Sequence, residues 1–251
     1  MLKTALITGA TAGFGEATAL LLASKGYRLI ITGRRKERLD ALAEKMRAQG
    51  TEVYTLAFDV RSREETDAAV DSLPEAWKTI DVFITNAGLA VGTEHLHEAV
   101  TDDWDRMIDT NVKGLLYVSR KIVPLMVQRK SGHIINVGSI AGREAYPGGS
   151  VYCATKHAVQ AITNSLRIEM LPHGIRVGLI SPGLAETEFS EVRFKGNTEK
   201  ANSVYNGLIP LYAPDIADTI LFMLSAPAHV NIADVLILPT IQASARDVLR
   251  K

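Results

Sequence analysis

Two kinds of segment alternate along this chain. Short runs of β-branched and apolar residues recur at 3–8, 28–32, 53–58, 81–85, 133–137, 175–180 and 235–238. Runs of this length and composition predict strands buried on both faces. Between them lie longer stretches with apolar residues at helical spacing, over 16–25, 36–49, 64–73, 103–128 and 151–171. Pro124 predicts a kink in the longest. Strand and helix alternating at these lengths predict βαβ units, and hence an α/β fold. The expected form is one domain over 1–251, a doubly wound parallel sheet of about seven strands with helices on both faces. The least regular part, 185–211, contains Gly196, Gly207 and Pro210 and reads as a flap over a substrate.

The first strand runs into Gly9-Ala10-Thr11-Ala12-Gly13-Phe14-Gly15, and helical spacing starts at Glu16. Strand, glycine-rich turn and helix in that order offer backbone N–H groups and a helix N-terminus to a pyrophosphate. Gly9 permits the tight turn, Gly13 lets backbone approach phosphate, and Gly15 lets helix and strand pack closely. The spacing Gly-x-x-x-Gly-x-Gly differs from the commoner Gly-x-Gly-x-x-Gly. Taken alone, the loop fits a glycine-rich turn without a ligand equally well.

A second cluster lies further along. Tyr152 and Lys156 are four positions apart, so they share one face of the helix predicted over 151–171. An ammonium there is expected to favour the charged phenol and lower its pKa. That would fit Tyr152 to give and take a proton near neutral pH. Ser139 stands thirteen positions before Tyr152, just past a predicted strand. The three side chains together suit moving a proton on and off an oxygen.

Composition narrows the partners. Lys plus Arg and Asp plus Glu each number 28, so no overall field draws the chain to nucleic acid or an anionic membrane. No apolar run reaches the length of a membrane span, and the first strand begins close to Met1. Neither a span nor a signal peptide is expected, which suits a cytoplasmic location. Cys153 is the single cysteine and excludes an intramolecular disulfide. With no paired histidine it reads as a small, partly buried residue rather than a nucleophile. His95 and His97 lack a third ligand at metal spacing and read as solvated loop residues, so no metal is expected.

The segment from Thr8 to Gly15, Asn86-Ala87-Gly88, Asn111, Ser139, Tyr152-x-x-x-Lys156 and Pro182-Gly183, in this order, resembles the short-chain dehydrogenases/reductases over essentially the whole chain. The resemblance implies a Rossmann fold and hydride transfer between a nicotinamide and a carbonyl carbon. It implies that Tyr152 protonates the oxygen, that Lys156 lowers the phenol pKa and bonds the nicotinamide ribose, and that Ser139 polarises the oxygen. Asn111 would support a water relay to Lys156. Gly9, Thr11, Gly13, Phe14 and Gly15 would hold the pyrophosphate region, Asp59 the adenine amino group, and Val60 the ring. Asn86 and Gly88 would lie beside the ribose, and Pro182, Gly183 and Thr187 would cover the nicotinamide. Gly138 stands where many members carry another serine. The resemblance also implies a homotetramer built on paired helices.

Cofactor choice is read at the end of the second strand, where NAD-preferring folds place an acidic residue on the ribose 2′-hydroxyl. Gly33 stands there, followed by Arg34 and Arg35, which suits the 2′-phosphate of NADP. Many NADP-preferring members also carry a basic residue where this chain has Ala12.

Longer stretches, Gly142 to Gly149, Pro182 to Gly196 and Leu238 to Ser244, are similar to the NADP-dependent 3-hydroxy acid dehydrogenases, a group that includes serine and allo-threonine dehydrogenases. Such substrates need a carboxylate anchor. Arg193, Lys195 and Arg143 are the cations near the expected pocket, with Arg193 preferred for its bidentate geometry, and Tyr146 is a candidate lining residue. Two other readings stay open: a carbonyl or 3-oxoacyl reductase for uncharged ketones or thioesters, and a catalytically silent NADP-binding sensor.

Overall fold

The computed structural model describes residues 2–251 and holds nine strands. These are β1 Thr4–Ile7, β2 Arg28–Gly33, β3 Val53–Ala57, β4 Val82–Thr85, β5 Gly132–Val137, β6 Ile175–Pro182, β7 Ala185–Glu186, β8 Leu211–Tyr212 and β9 Asp234–Ile237. Seven form one parallel sheet in the order β3-β2-β1-β4-β5-β6-β9, while β7 and β8 pair separately. The α-helices are α1 Gly13–Ser24, α2 Lys36–Arg47, α3 Arg63–Asp71, α4 Thr101–Ile108, α5 Leu115–Arg129, α6 Ser150–Met170, α7 Phe189–Arg193, α8 Thr198–Ser203 and α9 Ala213–Ser225.

The period of two along each strand divides its residues between two cores. Ala5 and Ile7 of β1 and Leu29 and Ile31 of β2 face a layer containing Leu22 of α1, Met46 of α2 and Ile216 and Ile220 of α9. Leu6, Ile30 and Phe83 point the other way, against Ile122 and Met126 of α5. Each fully buried Leu, Ile, Phe or Met among them contributes about 1.5–3 kcal/mol. From β1 the chain winds outward to β3, then returns to add β4 on the other side of β1. That reversal opens a crevice at the carboxyl ends of β1 and β4, the usual ligand position in an open α/β sheet.

Two segments differ from the pattern-based expectation. The run over 103–128 is not one helix kinked at Pro124. A π-helical turn, Asp109–Gly114, separates α4 from α5, and α5 continues unbroken through Pro124. Helix α9 has no counterpart among the predicted elements. Pro214 lies in its first turn, where a missing N–H is no loss, and Asp215 accepts a bond from Tyr212 N at 2.7 Å. The flap over 185–211 carries β7, α7 and α8. Among the described residues no helix is long and apolar enough to cross a membrane.

Two chains of buried polar groups fix α6, one to the sheet and one to the π-helical turn. Thr85 Oγ1 donates to Asn136 Oδ1 at 2.6 Å, and Asn136 Nδ2 donates to Thr163 Oγ1 at 2.9 Å. Nearer the crevice, Asn111 Nδ2 donates to Thr155 Oγ1 at 3.0 Å, and Thr155 Oγ1 to Tyr152 O at 2.8 Å. Satisfied networks of this kind fix one packing, because any slip strands a buried polar group.

His133, at the opposite end of β5, is buried without a hydrogen-bond partner at either ring nitrogen. Burial, aided by the charges of Arg176 and Lys3, pushes its pKa down to about 3. The unfolded chain binds a proton near pH 6.5, whereas the folded chain binds it only near 3. Stability is therefore full above pH 6.5 and falls as pH drops through that window. Between pH 7.5 and 5, His133 should cost about 2 kcal/mol of stability. Urea unfolding of His133→Leu at both pH values should show that loss removed.

Candidate active site

The crevice holds a cavity of about 540 Å³ whose lining includes Gly13, Arg34, Ser139, Tyr152, Gly183 and Arg193. Its floor is the turn after β1. Thr8 Oγ1 accepts bonds from Asn86 N and Ala87 N, both at 3.0 Å, and Asn86 Nδ2 donates to Thr8 O and Gly9 O at 2.9 and 3.0 Å. Asn86 thus ties the turn to the end of β4. Gly15 lies beneath this lock rather than in the cavity lining: a Cβ there would sit 2.4 Å from Gly9 O and 2.5 Å from Asn86 Nδ2. Helix α1 begins at Gly13 with no side-chain cap, so its first N–H groups are available to an anion. Gly9, Thr11, Phe14 and Gly88 complete this part of the lining.

At the adenosine end, a Cβ on Gly33 would meet the Thr11 side chain at Cγ2, 2.8 Å away, so an acidic residue there would need Thr11 to shift. Arg34 is 57% exposed, and its nearest carboxylate, Asp59, is 3.7 Å away. Arg35 donates to Thr11 Oγ1 and Thr11 O and pairs with Glu188 at 2.9 Å. Arg38 joins the same carboxylate at 2.5 Å. Burial pushes Glu188 up, but bonds from Arg38 and Arg35 outweigh it and hold its carboxyl below the usual range. Burial likewise opposes ionisation of Asp59, and its bonds from Arg61 win. Asp59 is thus engaged by Arg61 Nε and Nη2 at 2.9 and 2.6 Å, with buried Val60 next to it. Arg34, Arg35 and Arg38 outnumber Glu188, leaving a cationic corner that fits a dinucleotide bearing an extra phosphate on its adenosine ribose.

Tyr152, Lys156 and Ser139 meet at the other end of the cavity. Lys156 Nζ is buried and donates to Val137 O at 3.0 Å. Burial pushes its pKa down to about 8. The expectation that Lys156 holds the Tyr152 phenol low is corrected here. Burial raises the phenol well above the ordinary tyrosine range, and the groups pulling it back are the Ser139 hydroxyl and the charge of Arg193. The ammonium is turned to Val137 O. Ser139 Oγ also accepts from Ala141 N at 3.1 Å, which fixes its rotamer. Asn111 lies beneath the cavity: its Oδ1 accepts from Leu89 N and its Nδ2 donates to Leu89 O, both at 2.8 Å. With Thr155 as a third partner, this side chain is committed to joining the loop after β4 to α6.

The three candidate anchoring cations separate. Arg143 does not line the cavity and pairs with Asp234. Lys195 pairs with Asp103 at 2.6 Å. Arg193 lines the cavity with no carboxylate partner among the described residues. Its Nη1 donates to Tyr146 Oη at 3.3 Å, its Nε is buried and unbonded, and its Cζ lies 5.9 Å from the Tyr152 ring centre. Tyr146 lines the same wall, and burial raises its phenol pKa.

The roof comes largely from the flap. Thr187 packs over Gly13, Pro182 and Gly183 flank the opening, and Phe189 meets the Tyr152 ring edge-on at 5.7 Å. Sequence reasoning missed Phe189, Glu188, Arg38 and Gln242. Gln242 Oε1 accepts from Leu184 N at 2.8 Å and so ties the roof to the C-terminal segment. No periodicity marks such residues, because the flap folds onto elements far away in sequence. Cys153 is buried and free, and His95 and His97 are exposed.

Comparison with known proteins gives a consistent picture. Residues 3–198 match the family model described as short chain dehydrogenase. The chain is 47% identical over 241 residues, covering 96% of each protein, to an NADP-dependent 3-hydroxy acid dehydrogenase of Salmonella typhi. It is 42% identical over 239 residues, 95% of this chain and 94% of the relative, to sulfoacetaldehyde reductase 2 of Chromohalobacter salexigens. Its structure matches the closed form of a serine dehydrogenase complexed with NADP+ with a TM-score of 0.93, at 42% identity over 99% of both chains.

Proposed function

The chain belongs to the short-chain dehydrogenase family, and from that footing we propose that it moves a hydride between NADP and C3 of a small 3-hydroxy acid. It is an NADP-dependent oxidoreductase acting on CH–OH groups. The observation that carries the finer reading is Arg193, a guanidinium at the cavity wall beside Tyr152 with no carboxylate of its own. Serine, allo-threonine, 3-hydroxyisobutyrate and 3-hydroxypropionate (the reduced form of malonic semialdehyde) share a carboxylate one carbon away from the carbon bearing the hydroxyl. That spacing would let Arg193 hold the anion while the oxygen meets Tyr152 and Ser139.

NADPH, when bound, supplies the hydride to the carbonyl carbon. The chain's own groups then handle the oxygen. Tyr152 Oη, kept protonated by burial, gives its proton to that oxygen as it becomes a hydroxyl, and in oxidation takes it back. Ser139 Oγ bonds and polarises the same oxygen. Lys156 Nζ, anchored on Val137 O, has further N–H groups for the nicotinamide ribose hydroxyls. Asn111 would keep the floor beneath Lys156 in register through Leu89 and Thr155. Gly13 and the open end of α1 would take the pyrophosphate, and Arg34 and Arg35 the 2′-phosphate. Phe189 excludes water from the reacting oxygen.

A second reading changes only the anion. Sulfoacetaldehyde has the skeleton of malonic semialdehyde with sulfonate in place of carboxylate, and a relative at 42% identity is named for its reduction. A free thiol suits a reducing cytoplasm. Exposed Ile108 and Leu116 on α4 and α5, with Ile168 and Leu171 on and just after α6, support a homotetramer.

Two outcomes are expected. With NADP and absorbance at 340 nm, the 3-hydroxy acids should turn over and simple secondary alcohols should not. Tyr152→Phe should lower kcat by about 10²–10⁴-fold, and Arg193→Ala should raise KM for the acids. Turnover confined to uncharged alcohols would sink the assignment, and 2-hydroxyethanesulfonate in the panel separates the two anions. Second, replacing Arg34 or Arg35 with Ser should lower kcat/KM for NADPH by about 10–100-fold while leaving kcat/KM for NADH unchanged. Equal losses with both cofactors would count against a 2′-phosphate role.

A further inference from the structure

We propose that Asp103 is a positioning residue for the substrate anion: through its ion pair with Lys195 it holds the end of α7, and with it the Arg193 guanidinium. This inference rests on the reading of Arg193 as the anchor.

A helix as short as α7, with five residues, has no independent stability, so Arg193 is aimed by what fastens α7: the bond of its Ser190 Oγ with Tyr205 Oη at 2.6 Å, and the contacts at its C-terminal end. Behind it the backbone turns through Lys195 at φ 53° and Gly196 at φ 84°. The left-handed conformation is unfavourable for a lysine and persists only where surrounding contacts fix it. Two contacts do so. Gly92 N donates to Arg193 O at 2.9 Å, tying the helix end to the loop after β4. Lys195 Nζ reaches Asp103 Oδ2 at 2.6 Å.

Asp103 differs from the other acidic residues of the flap's surroundings. Its side chain is only 9% exposed, whereas Glu188 at the other end of α7 is 40% exposed. Among the described residues the only other cation within 4 Å of Asp103 is Arg106, at 3.8 Å. Lys195 itself is 45% exposed, so the pair is buried at its carboxylate end only; removing the lysine charge would leave that buried carboxylate without its nearest cation. Asp103 also lies on α4, which runs into the π-helical turn carrying Asn111. The pair therefore fastens the segment bearing Arg193 to the helical run that sets the floor under Lys156. Arg193 itself makes one long hydrogen bond, to Tyr146, and its Nε makes none. Little else within the cavity wall holds the guanidinium in place.

The test compares kinetics of Asp103→Asn, Lys195→Asn and Arg193→Ala with NADP, using 3-hydroxypropionate and its uncharged methyl ester. Asparagine at 195 tolerates a positive φ, so that variant drops the charge while keeping the backbone. The expected result for Asp103→Asn and Lys195→Asn is a KM for the acid raised about tenfold, with kcat and KM for NADP unchanged, and kcat/KM for the ester left at the low value of the parent chain. Added to Arg193→Ala, Asp103→Asn should cause no further loss, because the residue it positions is gone. Equal effects on acid and ester, an additive loss in the double variant, or an unchanged acid KM alongside an impaired Arg193→Ala would overturn the inference alone. An unchanged acid KM in Arg193→Ala would remove the anchor reading, and this inference with it.

Discussion

Burying the Lys156 ammonium is the constraint on which the rest of the site depends. A charged group in a low-dielectric interior is tolerated only with fixed partners, and the partner here is a backbone carbonyl, Val137 O, at the end of β5. A carbonyl at a strand end is in place only if α6 sits in one register over the sheet. The two polar chains through Asn136–Thr163 and Asn111–Thr155 set that register. The same register brings Tyr152 against Ser139. Sheet, helix and proton-handling groups are thus one packing solution.

The phenol is governed by the same burial. Tyr152 is driven towards its neutral form, so the chain by itself makes a proton donor rather than a phenolate. A charge that works against this comes from Arg193 on the flap. The flap thereby contributes to the electrostatics of the reacting oxygen as well as to the shape of the pocket. An anion on Arg193 would offset that positive charge, linking substrate binding to the proton held on Tyr152.

Charge is distributed economically around the cavity. Arg143 and Lys195 are close in sequence to the site but neutralised by Asp234 and Asp103, which leaves Arg193 to meet an incoming anion. At the adenosine end the reverse holds, with Arg35 and Arg38 around one flap carboxylate and Arg34 exposed beside them. One end of the crevice suits a doubly charged phosphate and the other a small monoanion, with an apolar roof between them.

The sequence by itself determined the sheet, most helices, the glycine turn and the Ser139, Tyr152 and Lys156 set. Each rests on local spacing: a period of two or 3.6, a four-residue step on one helix face, glycines beside a strand end. The resemblance carried by Asn86, Asn111 and Pro182-Gly183 was legible for the same reason, since those residues stand at fixed offsets from strand ends. Tertiary structure alone decided which cation was free. Asp103 and Asp234 lie far along the chain from Lys195 and Arg143, and no local pattern reveals a partner supplied by another element. It also decided that Gly33 faces Thr11, that Phe189 covers Tyr152, and that burial outweighs Lys156 at the phenol. Spacing tells which residues can share a face. Distance and desolvation, which set charge and pKa, exist only once the chain has closed on itself.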